Sequence, residues 1–157
     1  MIIAAYAGTG KTYLASLCPD KVIDLVCMPY KYHLENKFAF DESSKANFDN
    51  ILNENWPYNY ILAIKDCLNS NKIILIPTDV LILSILKSKQ INYTLCYPQK
   101  DAKDIYYNRF INRGNNEEFI NIFIGNWDNY MEIFERDAFG KHIVLQSNQF
   151  LSDVLWV

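Results

Sequence analysis

The hydrophobic positions of this chain fall into short continuous runs, which polar or amphipathic stretches separate. The runs occupy residues 2–6, 21–28, 72–77, 91–98 and 141–146. Continuous apolar runs of this length are typical of strands that are buried on both faces of a parallel sheet. The pattern therefore predicts five strands with helices on both sides of the sheet they form.

Helical spacing of apolar residues marks the stretches between these runs. The clearest case is residues 58–70, where Ile61, Ile64 and Leu68 fall on one face of a predicted helix. Further helices are predicted over residues 11–18, 79–89, 101–115, 117–137 and 150–157. We expect Thr78 to cap the helix over 79–89 and a break near Gly125. Alternating strands and helices predict a single α/β domain over residues 1–157.

Roughly thirty residues after position 28 are mixed in character and rich in asparagine. We expect a mobile region there with one helix. This segment matches no motif.

Composition limits the classes of function. The chain has 157 residues with a net charge of −3 and is 50% hydrophobic, so it is large enough for one core. The negative charge gives no whole-protein attraction to nucleic acid or to an anionic membrane, although a local basic cleft stays possible. The start of the chain lacks the pattern of a signal peptide, and no apolar run reaches the length of a membrane span. We expect a cytoplasmic protein.

The most informative motif is AYAGTGKT, residues 5–12. It follows the Walker A pattern G-x-x-x-x-G-K-[ST] except that Ala5 replaces the first glycine. The backbone N–H groups from Gly8 through Thr9 and Gly10 to Lys11 are expected to converge on a phosphate. In this pattern Lys11 reaches the terminal phosphates of ATP, and the hydroxyl of Thr12 is a ligand for Mg²⁺. Alanine at position 5 removes no phosphate ligand.

Arginine occurs only at positions 109, 113 and 136, although the chain has many lysines. Arg109 and Arg113 are four residues apart, so they share one face of the predicted helix. Their planar, bidentate guanidinium groups suit phosphate oxygens and the charge that develops in phosphoryl transfer. The alternative is a solvated helix surface on which Asp101 or Asp104 pairs with them.

Two carboxylates follow strands. Asp24 is expected near the carboxyl end of the second strand, the edge at which ligands of parallel sheets bind. There it could accept a proton from a substrate hydroxyl or hold a water bound to Mg²⁺. Asp79 follows the strand of residues 72–77 and is a second candidate for metal support. Its alternative role is to begin the next helix.

Together the early loop, Asp24 and the segment YPQKDAKDIYYNRFINRGNNEEFINIFIGNWDNY resemble small P-loop proteins of the nucleoside and nucleotide kinase group, common in phages and Firmicutes. The resemblance covers most of the chain and is weakest over about 30–55. It implies a P-loop NTPase fold with five parallel strands in the order 2-3-1-4-5. It also implies a substrate-region insertion at about 27–57 and a lid-like segment at about 100–125.

The resemblance implies roles for individual residues as well. Gly8, Gly10, Lys11 and Thr12 would bind ATP phosphates and Mg²⁺, and Arg109 and Arg113 would be the lid arginines. The residues that would border the adenine are Gln146, Ser147 and Asn148. Related kinases often carry Asp-x-Asp or Asp-Ser at the end of the second strand, whereas this chain reads Asp24-Leu25-Val26-Cys27.

The sequence therefore predicts ATP-dependent phosphoryl transfer to a nucleoside, a nucleotide or a similar small acceptor. The catalytic candidates are Lys11, Asp24, Arg109 and Arg113, and the metal candidates are Thr12 and Asp79. The alternative is a nucleotide-binding protein with little turnover, which would act in regulation or in phage–host interaction. The missing second carboxylate favours that alternative, and the sequence specifies neither the acceptor nor an oligomeric state.

Overall fold

The computed structural model describes residues 1–34 and 48–155. Its central feature is a sheet of five parallel strands in the order β2-β5-β1-β6-β7, with helices on both faces. The strands are β1 (Ile2–Ala5), β2 (Val22–Asp24), β3 (Tyr32–Leu34), β4 (Phe48–Leu52), β5 (Ile73–Pro77), β6 (Thr94–Pro98) and β7 (Lys141–Leu145). Strands β3 and β4 form a separate antiparallel ribbon.

The described helices connect these strands. They are α1 (Lys11–Leu17), α2 (Met28–Lys31), α3 (Tyr58–Leu68), α4 (Val80–Ser88), α5 (Lys103–Asn112), α6 (Glu117–Ile120), α7 (Trp127–Glu135) and α8 (Leu151–Val154). A 3₁₀ turn, Lys100–Ala102, precedes α5, and a π-helical turn, Asn121–Gly125, lies between α6 and α7. None of the helices in the described parts of the chain is both long and apolar enough to span a bilayer.

Strand β1 lies in the middle of the sheet, between β5 and β6, and every one of its residues is buried. Its side chains alternate between the two faces. Ile2 and Ala4 join the larger hydrophobic core, which also contains buried residues of α3, α4, α5 and α7. Ile3 and Ala5 join a smaller core with Leu14 of α1 and Leu151 of α8. A central parallel strand must be apolar on both faces, which explains the continuous hydrophobic run.

Tyr6, directly after β1, is the hub of the larger core. Its fully buried ring packs edge-on against the rings of Phe123 and Trp127, with both pairs of centroids 5.6 Å apart. Its hydroxyl donates a hydrogen bond of 2.6 Å to the carbonyl of Phe123, inside the π-helical turn. Burial raises the pKa of Tyr6, so the phenol is neutral. Tyr6 thus fixes the segment after α5 against the start of the loop.

The predicted α/β architecture with a parallel sheet is confirmed, and several details differ from the expectation. The strand predicted over 21–28 ends at Asp24, because Pro29 lies in the first turn of α2 and the chain turns into that helix. The region after it contains the ribbon β3–β4 in addition to α2. The rest of the region predicted to be mobile, residues 35–47, lies outside the described residues.

The predicted cap of α4 is one residue too early. Asp79 is the N-cap, and its carboxylate accepts hydrogen bonds from the N–H groups of Leu81 and Ile82 at 2.9 and 3.2 Å. Thr78 is buried instead, with 8% of its surface exposed. An ionised carboxylate accepts two bonds from the helix terminus and also suits the positive end of its dipole.

The strand order differs in numbering from the expected 2-3-1-4-5. Because the ribbon β3–β4 intervenes in the chain, the sheet is ordered β2-β5-β1-β6-β7 over all seven strands. When only the five strands of this sheet are numbered in chain order, their order across the sheet is 2-3-1-4-5. This arrangement brings the carboxyl ends of β1, β2 and β5 together at one edge.

Replacing Tyr6 with phenylalanine should lower the free energy of unfolding by about 1–2 kcal/mol, because the substitution leaves the carbonyl of Phe123 without its donor. Urea denaturation of both proteins measures this difference. Tyr107→Phe is the matched control, since Tyr107 is 43% exposed on α5. Equal losses in the two variants would contradict the assigned role of the Tyr6 hydroxyl.

Candidate functional site

The loop between β1 and α1 is a tight turn that depends on two glycines. Gly8 has φ 76° and Gly10 has φ 89°, a backbone region that L side chains rarely adopt. Thr9 lies between them, is fully buried, and donates its hydroxyl to the carbonyl of Tyr6 at 2.7 Å. Gly10 is also the N-cap of α1 and has no side chain to accept from the first N–H groups of that helix. The loop is therefore closed on itself and keeps backbone donors at its rim.

The Lys11 side chain folds back over this loop. Its ammonium donates to the carbonyl of Ala5 at 2.8 Å and to that of Tyr6 at 3.1 Å. Position 5 thus contributes through its backbone carbonyl, which alanine supplies as well as glycine does. The methyl group of Ala5 is fully buried in the smaller core. The departure from the Walker A pattern at this position is therefore compatible with the loop geometry.

Thr12 and Asp24 form a direct pair beside the loop. The hydroxyl of Thr12, in the first turn of α1, donates to Oδ2 of Asp24 at 2.7 Å. Asp24 is the last residue of β2, as the sequence predicts, and β2 pairs with β5 at this end. Two oxygen atoms of the kind that Mg²⁺ prefers as ligands consequently lie together at the start of α1.

Helix α5 packs directly on the loop at Gly8. A Cβ atom at this position would lie 2.8 Å from Cε1 of Phe110 and 3.3 Å from Cδ1 of Tyr106. Both rings are fully buried. Gly8 is therefore required twice, once for its positive φ and once for the close approach of α5.

Arg109 connects the loop to the turn after β7. Its guanidinium donates to the carbonyl of Ser147 at 2.8 Å and makes a longer contact of 3.4 Å with the carbonyl of Gly8. It also stacks between two rings, 4.1 Å from the centroid of Phe150 and 4.6 Å from that of Tyr106. Asp101 and Asp104, the alternative partners of the arginines, have no part in these contacts.

The turn of Gln146, Ser147 and Asn148 lies beside the loop and is held from several sides. The hydroxyl of Ser147 accepts from the side-chain amide of Gln99 at 2.9 Å, and the backbone of Gln146 bonds reciprocally with Gln149. The N–H of Leu151 donates to the carbonyl of Thr9 at 2.9 Å. Phe150 packs next to Gly10 and is 38% exposed. A groove wall thus runs from the loop to this turn.

Asp79 and Lys31 lie at the same edge of the sheet, on the side of β2 and β5. Besides capping α4, Asp79 places Oδ2 3.9 Å from the ammonium of Lys31. Cys27, the N-cap of α2, lies within the electrostatic reach of both residues and of Lys11. Burial and the charge of Asp79 raise the pKa of the Cys27 thiol to about 11, against the opposing effect of the two lysines.

Tyr60 forms the buried floor under these charges. It is fully buried on α3, and its hydroxyl donates to the carbonyl of Leu25, the residue after Asp24. Burial, together with the charges of Asp24 and Asp79, raises its pKa well above the ordinary value, so it stays neutral. Opposite charges therefore lie at the carboxyl ends of β1, β2 and β5, the edge at which open parallel sheets form a crevice, and we call this edge the cleft.

The predicted site residues divide into two groups. Direct contacts join the loop to Asp24 and Arg109, and Arg109 in turn joins it to Ser147. Asp79 instead caps α4 and faces Lys31, and Arg113 is exposed at the C-cap of α5, one turn beyond Arg109.

Sequence reasoning missed Phe150, Tyr106 and Lys31. Tyr106 stands three residues before Arg109 on the same predicted helix, so its nearness to the arginine was readable from helical spacing. Phe150 and Lys31 carried no such signal, because turns and a ribbon bring them to the site.

The donors for a metal ion are few. The residues 1–34 and 48–155 contain no group of three or more His, Cys, Asp or Glu side chains that could hold one. A Mg²⁺ ion bound together with a polyphosphate is held mainly by phosphate oxygens and water and needs only one or two ligands from the protein. Thr12 and Asp24 fit that requirement.

Comparison with protein-family models finds no match to this chain, and comparison with curated proteins finds none either.

Replacing Gly8 with alanine should lower the free energy of unfolding by about 2–4 kcal/mol, through backbone strain and the clash with Phe110. Gly114→Ala is the matched control, because Gly114 has φ 72° but no atom within 4 Å of its Cβ position. The control should lose only about 1 kcal/mol. Thermal or urea unfolding measures both values, and a larger loss in the control would refute the close approach of α5.

Proposed function

We propose that the protein binds ATP with Mg²⁺ at the loop of residues 5–12 and transfers a phosphoryl group to a small acceptor. The observation that carries this proposal is the combination at the loop itself. Two glycines with positive φ, an overlying Lys11 ammonium and the Thr12–Asp24 pair lie at the carboxyl end of the central strand. Backbone donors, a lysine and a hydroxyl are the groups that cradle a polyphosphate with its metal.

Lys11 would exchange its contacts with the carbonyls of Ala5 and Tyr6 for phosphate oxygens of ATP. Both contacts are hydrogen bonds to neutral acceptors, whereas an anionic phosphate oxygen would add the attraction of an opposite charge. The fold therefore holds Lys11 over the phosphate site, and the ligand offers it a better partner. The P-loop NTPase fold of the nucleotide-kinase kind is part of the same proposal.

Thr12 and Asp24 would hold Mg²⁺, Thr12 directly and Asp24 through a water molecule. The ion would neutralise charge on the β- and γ-phosphates. The 2.7 Å bond between the two side chains brings both oxygens together at the start of α1. Asp24 is therefore the better candidate for the metal role that the sequence offers to Asp79. Asp24 also borders the cleft and could orient an acceptor hydroxyl.

The nucleoside of ATP would lie between the loop and the turn of residues 146–148. Arg109, Ser147 and Phe150 line this path, with the guanidinium of Arg109 stacked on the exposed ring of Phe150. Arg109 is held by four groups and would orient the nucleotide. Arg113 is exposed one turn away, next to Gly114, where the chain can move toward the transferring phosphate.

The second candidate function is nucleotide binding with little turnover. Asp24 is already bonded to Thr12, and the chain reads Leu25-Val26-Cys27 after it, so no second carboxylate follows on this strand. An acceptor that needs a dedicated base would then react slowly. Regulation or phage–host interaction are the corresponding roles.

Lys11→Ala should abolish most ATP binding and leave the fold intact, since the Lys11 ammonium donates to backbone carbonyls of the loop and the residue belongs to neither hydrophobic core. Calorimetry with Mg-ATP, supported by circular dichroism, measures both properties. Lys65→Ala, an exposed position on α3, is the matched control. Equal ATP affinity in the parent and in Lys11→Ala would refute the site.

A turnover assay with a panel of acceptors then separates the two candidate functions. ADP production that depends on an acceptor supports the kinase, whereas tight ATP binding without turnover supports the second candidate.

The two arginines should respond differently to substitution by lysine. Arg109→Lys loses the fork that contacts Ser147 and the stacking on Phe150, so it should lower the free energy of unfolding by about 1 kcal/mol. Arg113→Lys should leave the free energy of unfolding nearly unchanged. It should reduce kcat, because the bidentate guanidinium group at this position would act mainly in the transition state. Urea denaturation and steady-state kinetics on both variants test this contrast. A kcat of Arg113→Lys equal to that of the parent would remove Arg113 from the mechanism.

A further inference from the structure

The ammonium group of Lys31 has unused hydrogen-bond donors in the cleft. Its side chain is 30% exposed, and the nitrogen lies 5.5 Å from the ring centroid of Trp56 and 5.8 Å from that of Tyr32. The nearest carboxylate oxygen, Oδ2 of Asp79, is 3.9 Å away. Within residues 1–34 and 48–155 this ammonium donates no hydrogen bond, and the two rings contact its charge through cation–π interactions. A lysine has three donors, so this group can bind a ligand without first breaking a bond.

The contact with Asp79 does not account for Lys31. Charge-assisted N–H···O bonds are ordinarily about 2.7–2.9 Å long, so a separation of 3.9 Å is a loose ion pair. Asp79 is also satisfied without Lys31, because its other oxygen accepts from the N–H groups of Leu81 and Ile82. The pair balances charge in the cleft and leaves the ammonium available.

The backbone holds Lys31 in place. Its carbonyl accepts from the N–H of Asn53 at 2.9 Å, and the carbonyl of the preceding residue, Tyr30, accepts from the side-chain amide of Asn59 at 2.7 Å. These bonds join the short helix α2 to the start of α3 and to the residue after β4. The position of the lysine is therefore set by the fold before any ligand arrives.

Lys31 faces the same space as the loop lysine. Both Lys31 and Lys11 act electrostatically on the thiol of Cys27, whose pKa is raised mainly by burial and then by Asp79. The strand pairing gives the same placement. Lys11 donates to the carbonyl of Ala5, which pairs with Pro77 of β5, and Asp79, the carboxylate beside Lys31, follows Pro77 by two residues. Both ammonium groups therefore lie at the same end of neighbouring strands. A small molecule bound beside Cys27 can therefore face Lys11 at one end and Lys31 at the other.

We propose that the acceptor is anionic and that Lys31 binds its phosphate or carboxylate group. The proposal rests on the proposed function, since it treats the loop as the donor side. An anionic oxygen would give the ammonium a short charge-assisted bond in a partly desolvated cleft, where such a bond is strong. A neutral acceptor would leave the three donors of Lys31 unused. Lys31 is thus a specificity-determining residue for the acceptor.

The test compares ligands that differ only by the anionic group. Each common nucleoside and its 5′-monophosphate are titrated by calorimetry into protein saturated with Mg²⁺ and a non-hydrolysable ATP analogue, which fills the loop. We expect at least one monophosphate to bind at least tenfold more tightly than its nucleoside. Lys31→Met should abolish that difference and leave the affinity for the ATP analogue unchanged. Lys31→Arg keeps the charge and should retain most of the preference.

Lys103→Met is the matched control. Lys103 is a partly exposed lysine on α5, and its ammonium lies 3.2 Å from the carboxylate of Asp128 on α7. This variant should keep the full preference for the monophosphate. A panel in which no monophosphate binds more tightly than its nucleoside would overturn the proposal. So would a preference that survives in Lys31→Met.

The design separates this proposal from the proposed function. If the parent does not bind the ATP analogue, the ATP site is refuted, and the same ligand pairs are then compared in Lys11→Ala and in Lys11→Ala/Lys31→Met. A preference for the monophosphate that Lys31→Met removes would support anion binding by Lys31 independently of ATP. If Lys11→Ala shows no preference for the monophosphate, the proposal is overturned as well.

Discussion

Helix α5 can lie directly on the loop after β1 only because residue 8 has no side chain. Phe110 and Tyr106 occupy the space that a Cβ atom would need, and their burial ties α5 to the larger core. This contact carries Arg109 to the rim of the loop, within reach of Ser147. The guanidinium then joins the loop, α5 and the turn after β7 into one unit. The shape of this side of the candidate site follows from the close approach of a helix to a glycine.

The charges of the cleft follow from the sheet in a similar way. Parallel strands end at a common edge, so residues that follow β1, β2 and β5 become neighbours whatever their separation in the chain. Lys11, Asp24 and Asp79 meet for this reason, and α2 adds Lys31 beside them. Two cations and two anions in a half-buried cleft nearly balance one another. A ligand with phosphate groups can replace these internal partners without leaving a buried charge alone.

The two buried tyrosines beside the site have structural roles. Tyr6 and Tyr60 both lie beside the site, but burial raises the pKa of each, and their hydroxyls donate to backbone carbonyls. They act as rigid neutral donors that fix the carbonyls of Phe123 and Leu25. Lys11 and Lys31 are only partly buried and Arg113 is exposed, so these groups can exchange their partners for a ligand. The charged groups of the candidate site therefore lie beside rigidly packed aromatic side chains.

By itself the sequence determined the features that depend on neighbouring residues. Continuous apolar runs gave the parallel strands, and Gly8, Gly10, Lys11 and Thr12 gave a loop between a strand and a helix, because local backbone preferences and burial on both faces act over a few residues. Only the tertiary structure decided that Asp24 bonds Thr12 while Asp79 caps α4. Both carboxylates lie at the carboxyl ends of strands, and their roles depend on which helix terminus lies beside them. The tertiary structure also decided that Phe150 and Lys31 reach the site. Such contacts join residues far apart in the chain, and their distances depend on how every intervening element packs.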